Sequence, residues 1–307
     1  MIREFKELTA ESFHIVSKYE NLRPTYIAEH QFVNQYIWSK FYETTYATTE
    51  KALFYKIKVY DDDGCFMPYC KEEDIISTFV EIKDYFNQVL NKPLKMYLVD
   101  ETFVQALKAD PEISDSFEFV EFRDGFDYVY EADKLRTLSG RKMHKKKNHL
   151  NNFLRNYEGR YEYKHLCCSN MEEVKAFHYE WLSNRDITDS NDRNNSINKE
   201  EEGTLQLMAH CGEIPYHCGG VYIDGKLEAY SIGSYNPEIK CAYIHIEKAN
   251  SNVNGLYNFI NQQFLLNEFP EAEIVNREDD LGQEGLRKSK LSYSPLRLEA
   301  KYHIFQK

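Results

Sequence analysis

The 307-residue sequence predicts an α/β protein whose sheets are mixed, as in α+β folds, and which is built as two domains in tandem. Two observations lead to this prediction. Helical and extended patterns alternate along the whole chain, and the same order of elements occurs twice: two helices, three strands, a helix, a strand, a short helix and a strand. We assign residues 1–133 to the first domain and residues 134–307 to the second. Each is long enough to bury a core of its own.

The first domain opens with a short extended segment and two helices, the second of them over residues 27–41. An Asp-Gly pair at residues 63–64 lies between two alternating runs and predicts a hairpin. A long amphipathic helix over residues 72–90 follows. Its apolar residues recur at helical spacing, and three further strands complete the domain at residues 94–99, 117–122 and 126–130.

A basic segment opens the second domain. Residues 134–160 contain nine Lys or Arg and a single acidic residue, Glu158. Leu150, Phe153 and Tyr157 give this predicted helix an apolar stripe. Two interpretations stay open: a surface that contacts the phosphates of tRNA, or the solvated face of a linking helix. The lysines concerned are Lys142, Lys145, Lys146 and Lys147.

Further along the second domain, the pattern predicts a strand at 161–166 and a helix at 171–182. The polar tract at 183–203 is too long for a simple connection and predicts a mobile loop or a lid. A hairpin then turns at Asp224-Gly225, and a strand at 241–247 precedes a helix at 255–267. This strand and the next helix are joined by a loop rich in asparagine.

The loop at residues 248–255 is a candidate phosphate site. Unpaired backbone N–H groups at the start of a helix lie at the positive end of the helix dipole and favour an anion. The alternative is that Asn254 simply caps the helix, as asparagine often does.

The site that the sequence predicts is centred on residues 274–302. A short buried strand at 274–275 ends in five polar residues, a short basic helix covers 286–293, and Pro295 separates that helix from a last strand at 296–305. Polar groups at the carboxyl end of a strand are where open α/β folds bind ligands. The alternative is a loop held by an ion-pair network. We expect Tyr293 to pack in the core.

Two motifs carry a family resemblance: LSGRKMHKKKNHLNNF at 138–153 and VNREDDLGQEGLRKSKLSYSP at 275–295. They resemble a bacterial family related to the catalytic domain of phosphatidylglycerol lysyltransferase, which consists of two tandem GNAT-like acyltransferase domains. The resemblance runs essentially from end to end. It implies direct attack of an acceptor on an acyl carbonyl, without a covalent enzyme intermediate.

The resemblance also implies roles for particular residues. The proton acceptor would be one of the carboxylates Glu247, Glu278 and Asp280. The donor would bind along the 246–257 segment and the next strand, at Ile246, Lys248, Asn250, Asn252, Asn254, Gly255, Tyr257 and Asn276. Phosphates or an acidic acceptor would bind to Arg277, Arg287, Lys288 and Lys290.

Together these observations predict a GNAT-like acyltransferase that moves an acyl or aminoacyl group from a coenzyme A thioester to an amine or hydroxyl. A net charge of −12 argues against broad nucleic-acid binding and favours acyl-CoA over the alternative donor, aminoacyl-tRNA. A second alternative is a non-catalytic ligand-binding protein that retains the fold.

The remaining sequence features bear on location and metal binding. The seven cysteines show no C-x-x-C spacing, and no apolar run has the length of a signal peptide or a membrane span, so we expect a cytoplasmic protein. The pairs His210-Cys211 and His217-Cys218 are weak evidence for zinc, and we expect no metal.

Overall fold

The computed structural model describes residues 2–183 and 191–307, and describes no side chains for residues 191–198. The strands are β1 (Lys6–Glu7), β2 (Thr45–Thr48), β3 (Ala52–Val59), β4 (Asp62–Phe66), β5 (Tyr69–Cys70), β6 (Lys95–Asp100), β7 (Phe117–Glu121), β8 (Asp127–Glu131), β9 (Tyr161–His165), β10 (His217–Ile223), β11 (Lys226–Asn236), β12 (Cys241–Ala249), β13 (Ile274–Asn276), β14 (Arg297–Glu299) and β15 (Lys301–Gln306). The helices are α1 (Phe13–Glu20), α2 (Phe32–Trp38), α3 (Ile75–Asp84), α4 (Glu101–Lys108), α5 (Pro111–Ser116), α6 (Ala132–Thr137), α7 (His144–Asn156), α8 (Met171–Ser183), α9 (Asn191–Ala209), α10 (Leu256–Glu268) and α11 (Glu284–Leu291).

The chain forms two compact units. The first contains Met1–Asp127 together with Glu299–Lys307, and the second contains Tyr128–Leu298. This division differs from the predicted boundary after residue 133, because each sheet takes a strand that sequence order had assigned to the other half. Residues 296–305, predicted as one strand, form β14 and β15, which belong to different sheets.

The sheet of the first unit has the order β1-β2-β3-β4-β6-β15-β7, with β5 paired to β3. β4 and β6 are parallel, and β15 lies antiparallel between β6 and β7. Ile304 of β15 is fully buried in the core of this unit. The chain terminus is therefore an interior strand whose backbone groups are paired on both sides.

The sheet of the second unit has the order β14-β8-β13-β12-β11-β10-β9. β12 and β13 are parallel neighbours, and β13 also pairs antiparallel with β8. The predicted hairpin at residues 224–225 is present between β10 and β11. Helix α10 packs against this sheet, with Phe259 beside Phe153 of α7 at 4.6 Å between ring centroids.

A β-bulge in β12 and its short pairing with β13 leave a gap in the hydrogen bonding of this sheet, called the cleft below. Ile246 lies opposite Ile232 and Ile244 opposite Gly233, so His245 has no residue directly opposite. β12 and β13 pair over three residues only, after which the backbone beyond Asn276 bonds to β8 instead. β12 continues to Ala249, and the two parallel strands separate at their carboxyl ends.

The polar tract at 183–203 differs from the loop predicted for it. Residues 184–190 lie outside the described part of the chain, and Asn191–Ala209 forms helix α9. The physical reason is at its carboxyl end, where Thr204, Leu207 and Met208 are buried and anchor the helix. In the described residues no helix combines the length and apolarity needed to cross a bilayer.

Candidate functional site

The separated ends of β12 and β13 bring a glutamate and an arginine together. Arg277 Nη2 donates to Glu247 Oε1 at 2.8 Å, and Asn261 Nδ2 of α10 donates to Glu247 Oε2 at 3.0 Å. Both charged side chains are nearly buried. Each carboxylate oxygen of Glu247 therefore has a partner, and in this arrangement the carboxylate holds Arg277 in place. Its predicted role as proton acceptor stays a prediction.

Aromatic rings surround the guanidinium of Arg277. The guanidinium carbon is 4.9 Å from the ring centroid of Tyr293 and 5.9 Å from that of Tyr130. Tyr293 packs in the core, as expected, and its hydroxyl accepts a hydrogen bond from Asn258 Nδ2 at 2.6 Å. Burial raises the pKa of Tyr293 to about 12, against the opposing effect of Arg277, so this phenol stays protonated at neutral pH.

Lys146 enters this cleft, although the sequence placed it with the surface lysines. Its ammonium nitrogen is 4.1 Å from the centroid of Tyr293, a cation–π distance. Within the described part of the chain, no carboxylate oxygen lies within 4 Å of this nitrogen. Burial, followed by the nearby charge of Arg277, lowers the pKa of Lys146, and Glu247 opposes that shift. Lys146 is thus a partly desolvated ammonium group beside Tyr293 and Arg277.

A signal for Lys146 was present in the sequence. Residues 146, 150, 153 and 157 follow helical spacing, so position 146 continues the apolar stripe of Leu150, Phe153 and Tyr157. The residues on either side, Lys145 and Lys147, are exposed.

The loop after β13 is fixed by buried ion pairing, as the ion-pair alternative predicted. Asp280 is fully buried and accepts from Arg287 Nε and Nη2, each at 2.8 Å, and from Tyr128 Oη at 2.6 Å. Burial alone would raise the pKa of Asp280, but these hydrogen bonds and the charge of Arg287 lower it to about 2. Lys290 Nζ donates to the backbone carbonyls of Arg277 and Asp279.

The other residues assigned to the loop and last helix differ in environment. Lys288 is exposed and pairs with Glu284 within the same helix. Asn276 is fully buried, and its side-chain oxygen accepts from the backbone N–H of Glu278 at 2.6 Å. Glu278 has a φ of +56° and directs its carboxylate to His245 Nδ1 at 2.8 Å.

The loop before α10 is already engaged by protein groups. Asn250 donates from its backbone and its side chain to Glu228, and its side-chain oxygen accepts from the backbone N–H of Asn252. Gly255, in a left-handed conformation, is the N-cap of α10, so the alternative in which Asn254 caps this helix is wrong. The side-chain oxygen Oδ1 of Asn254 lies 3.1 Å from His149 Nδ1 instead. A Cβ on Gly255 would stand 2.1 Å from the carbonyl oxygen of His149.

The start of α10 is therefore covered by the backbone of α7, and three loop residues already use their polar groups internally. In the described part of the chain the backbone N–H groups of Asn254, Gly255 and Asn258 have no hydrogen-bond acceptor, so donors for an anion remain at the start of this helix. Binding of the coenzyme A diphosphate at this loop stays a prediction.

Lys248 and Tyr257 meet around Trp181. Lys248 Nζ lies 2.6 Å from a carboxylate oxygen of Glu200 and 4.4 Å from the Trp181 ring, and Trp181 Nε1 donates to Tyr257 Oη at 3.3 Å. The carbonyl oxygen of Ile246 accepts from Ser231 Oγ at 2.8 Å. Sequence reasoning did not assign Trp181 or Glu200 to a site, because helical spacing places Trp181 on the inward face of its helix but does not show which strand it approaches.

Comparison with known proteins gives a family match over most of the chain. The family model described as phosphatidylglycerol lysyltransferase, C-terminal, matches residues 20–305. An uncharacterized protein from Mycoplasmoides gallisepticum is 25% identical over 173 residues, which is 55% of this chain and 52% of that protein. The chain thus spans about half the length of this curated relative.

Solved structures share the fold. A conserved protein of unknown function from Bacteroides thetaiotaomicron is 26% identical with a TM-score of 0.88, and the match covers both chains completely. The C-terminal domain of a putative lysylphosphatidylglycerol synthetase from Agrobacterium fabrum has 13% identity and a TM-score of 0.68, over 97% of this chain and 92% of that one. A tandem GNAT protein from the clavulanic acid pathway has 10% identity and a TM-score of 0.51, over 99% and 98%. The predicted fold of two tandem GNAT-like domains is confirmed.

Proposed function

This chain belongs to the family of phosphatidylglycerol lysyltransferase C-terminal domains, and from that membership we propose that it is an aminoacyltransferase whose donor is aminoacyl-tRNA. The proposal replaces the coenzyme A donor with the alternative that the sequence left open. The overall charge, which had favoured acyl-CoA, is a property of the whole surface and says little about one basic helix.

Helix α7 carries the proposal. Its exposed lysines, together with Lys142 just before it, offer charges to a phosphate backbone, while Lys146 on the same helix reaches Tyr293 in the cleft. A tRNA held by the outer lysines would bring its aminoacylated 3′ end toward Lys146. The same helix therefore carries both the exposed lysines, which suit a phosphate backbone, and Lys146, which lies beside the polar groups of the candidate site.

The cleft residues supply chemistry suited to acyl transfer. An acceptor hydroxyl or amine attacks the ester carbonyl carbon, and the bond from that carbon to the ribose oxygen of the terminal adenosine breaks. Arg277 and Lys146 would stabilise the negative charge on the carbonyl oxygen. Lys146, with its lowered pKa, would give a proton to the departing ribose oxygen, and the proton lost by the acceptor would return Lys146 to its charged form. A cytoplasmic location would follow from this donor.

The test is a transfer assay with purified protein. Aminoacyl-tRNAs with a radiolabelled amino acid, lysyl-tRNA first, are incubated with vesicles that contain phosphatidylglycerol and, separately, with water-soluble amines and alcohols. We expect radiolabel to move from tRNA to one acceptor class at a rate well above spontaneous ester hydrolysis. Acetyl-CoA and longer acyl-CoAs are run in parallel. Consumption of an acyl-CoA with no loss of aminoacyl-tRNA would overturn the proposal.

A further inference from the structure

A serine, a histidine and a glutamate form a hydrogen-bonded chain in the second unit. Ser234 Oγ of β11 lies 2.8 Å from His245 Nε2 of β12, and His245 Nδ1 lies 2.8 Å from Glu278 Oε1 after β13. Ser234 and His245 lie on neighbouring strands of one sheet, and Glu278 lies two residues beyond the end of the next strand, β13. Ser234 and the His245 side chain are buried, and the Glu278 side chain is 21% exposed, so the chain of groups meets solvent at its glutamate end.

Two irregularities of the backbone create this alignment. His245 is the extra residue of the β-bulge, and a bulge redirects the side chain that it carries. Glu278 adopts a positive φ, which is unfavourable for a residue with a Cβ, directly after β13 leaves β12. The strained position places the Glu278 carboxylate beside the redirected imidazole.

The hydrogen-bonding chemistry of the three groups determines which of their atoms carry protons. An ionised carboxylate only accepts hydrogen bonds, so His245 carries its proton on Nδ1 and donates it to Glu278. In the Nδ1–H tautomer Nε2 is an acceptor, and the Ser234 hydroxyl, 2.8 Å away, can donate to it. A hydroxyl that donates to a neutral imidazole held by a carboxylate is the arrangement that activates a serine for attack on carbonyl carbon.

We propose that Ser234 is an acyl-accepting nucleophile, activated by His245 and oriented by Glu278, that reacts with small activated carboxylic esters. Ser234 Oγ bonds to the ester carbonyl carbon while its proton passes to His245 Nε2. The bond from that carbon to the leaving oxygen breaks, and the leaving oxygen takes the proton from the imidazolium. Water then bonds to the acyl carbonyl carbon while giving a proton to His245 Nε2, the bond from that carbon to Ser234 Oγ breaks, and Ser234 Oγ takes the proton from the imidazolium. The activity goes beyond aminoacyl transfer and requires no tRNA.

The strand provides a matched control. Ser231 is also buried on β11, but its hydroxyl donates to the Ile246 carbonyl at 2.8 Å and has no imidazole beside it. Ser231→Ala therefore removes a buried hydroxyl of the same strand without touching the Ser234–His245–Glu278 chain of groups.

The experiment uses the full chain, without tRNA, and a small fluorophosphonate as the probe. Intact mass measurement and peptide mapping locate the adduct, and release of p-nitrophenol from p-nitrophenyl acetate measures acyl transfer. We expect one adduct, on Ser234, and its absence in Ser234→Ala. His245→Gln should slow labelling at least about a hundredfold, the usual contribution of a general base. Ser231→Ala should label like the native protein.

Melting temperatures of all variants are measured alongside. Glu278→Gln keeps the shape of the side chain and provides a second variant if His245→Gln does not fold. An adduct absent from Ser234, or equal labelling rates in the native and His245→Gln or Glu278→Gln proteins, would overturn the proposal, whatever the outcome of the transfer assay.

Discussion

Replacing Lys146 by methionine should abolish transfer while leaving the fold nearly unchanged. Methionine keeps most of the length of the side chain and removes the charge. The ammonium stands 4.1 Å from the Tyr293 centroid, and such a cation–π contact in a partly buried place is worth about 1–2 kcal/mol. The lowered pKa of Lys146 shows that burial of its charge costs free energy, which offsets that contact. The net change in unfolding free energy should be within about 1 kcal/mol, or roughly 2–4 °C in melting temperature.

The effect on transfer should be much larger. Removing one preorganised donor for a developing negative charge costs on the order of 10²–10³ in rate. Single-turnover loss of label from aminoacyl-tRNA, with protein in excess, measures this step directly. Lys147→Met is the comparison variant: Lys147 is the exposed neighbour on the same helix, so its loss should weaken tRNA binding but leave the rate at saturating protein unchanged. If both variants lost activity equally, or if Lys146→Met kept full activity with its fold intact, the role assigned to Lys146 would be wrong.

Three further predictions follow from the same unit. Gly255→Ala should lower the melting temperature by several degrees more than Gly225→Ala in thermal unfolding. Both glycines have positive φ, but only at Gly255 would a Cβ meet a backbone oxygen, at 2.1 Å. Equal losses in melting temperature would contradict this close approach. Asp280→Asn should cost about 2 kcal/mol at pH 7. The folded pKa of Asp280, about 2, lies below its ordinary 3.8, so its stabilisation is present above about pH 4 and is lost as pH falls toward 2. Urea midpoints of the native and variant proteins should therefore converge over that range, and a constant difference would count against the ion pair. Changing the three exposed lysines to glutamate should weaken tRNA binding and flatten its dependence on salt by nearly one unit of logarithmic slope per lost phosphate contact; an unchanged slope would place the tRNA elsewhere. The lysines are Lys142, Lys145 and Lys147.

Local patterns predicted the elements that form the site, since each depends on residues close in sequence. The hairpin at Asp224-Gly225 is present, with φ values of +51° and +82° at the two turn residues. The strand before the asparagine-rich loop and the helix after it are β12 and α10. The polar residues after β13 do converge with those of β12, as parallel neighbours require.

What the sequence could not predict depends on partners distant along the chain. Position 146 lies both in a lysine run and on an apolar stripe, and only the packing of α7 against Tyr293 decides between them. Whether the amides at 250–255 are available to an anion depends on His149, a hundred residues earlier. The bulge at His245 shows no signal in residue type, and without it the alignment with Ser234 cannot be foreseen.

The place of β15 has a consequence for synthesis on the ribosome. The second unit is one continuous stretch, whereas the sheet of the first unit has a vacant place between β6 and β7 until Lys301–Gln306 is available. A growing chain can therefore complete the later unit before the earlier one, the reverse of the usual order of translation. A gene fragment that stops near codon 127 should yield an aggregation-prone product, with two unpaired strand edges where β15 belongs.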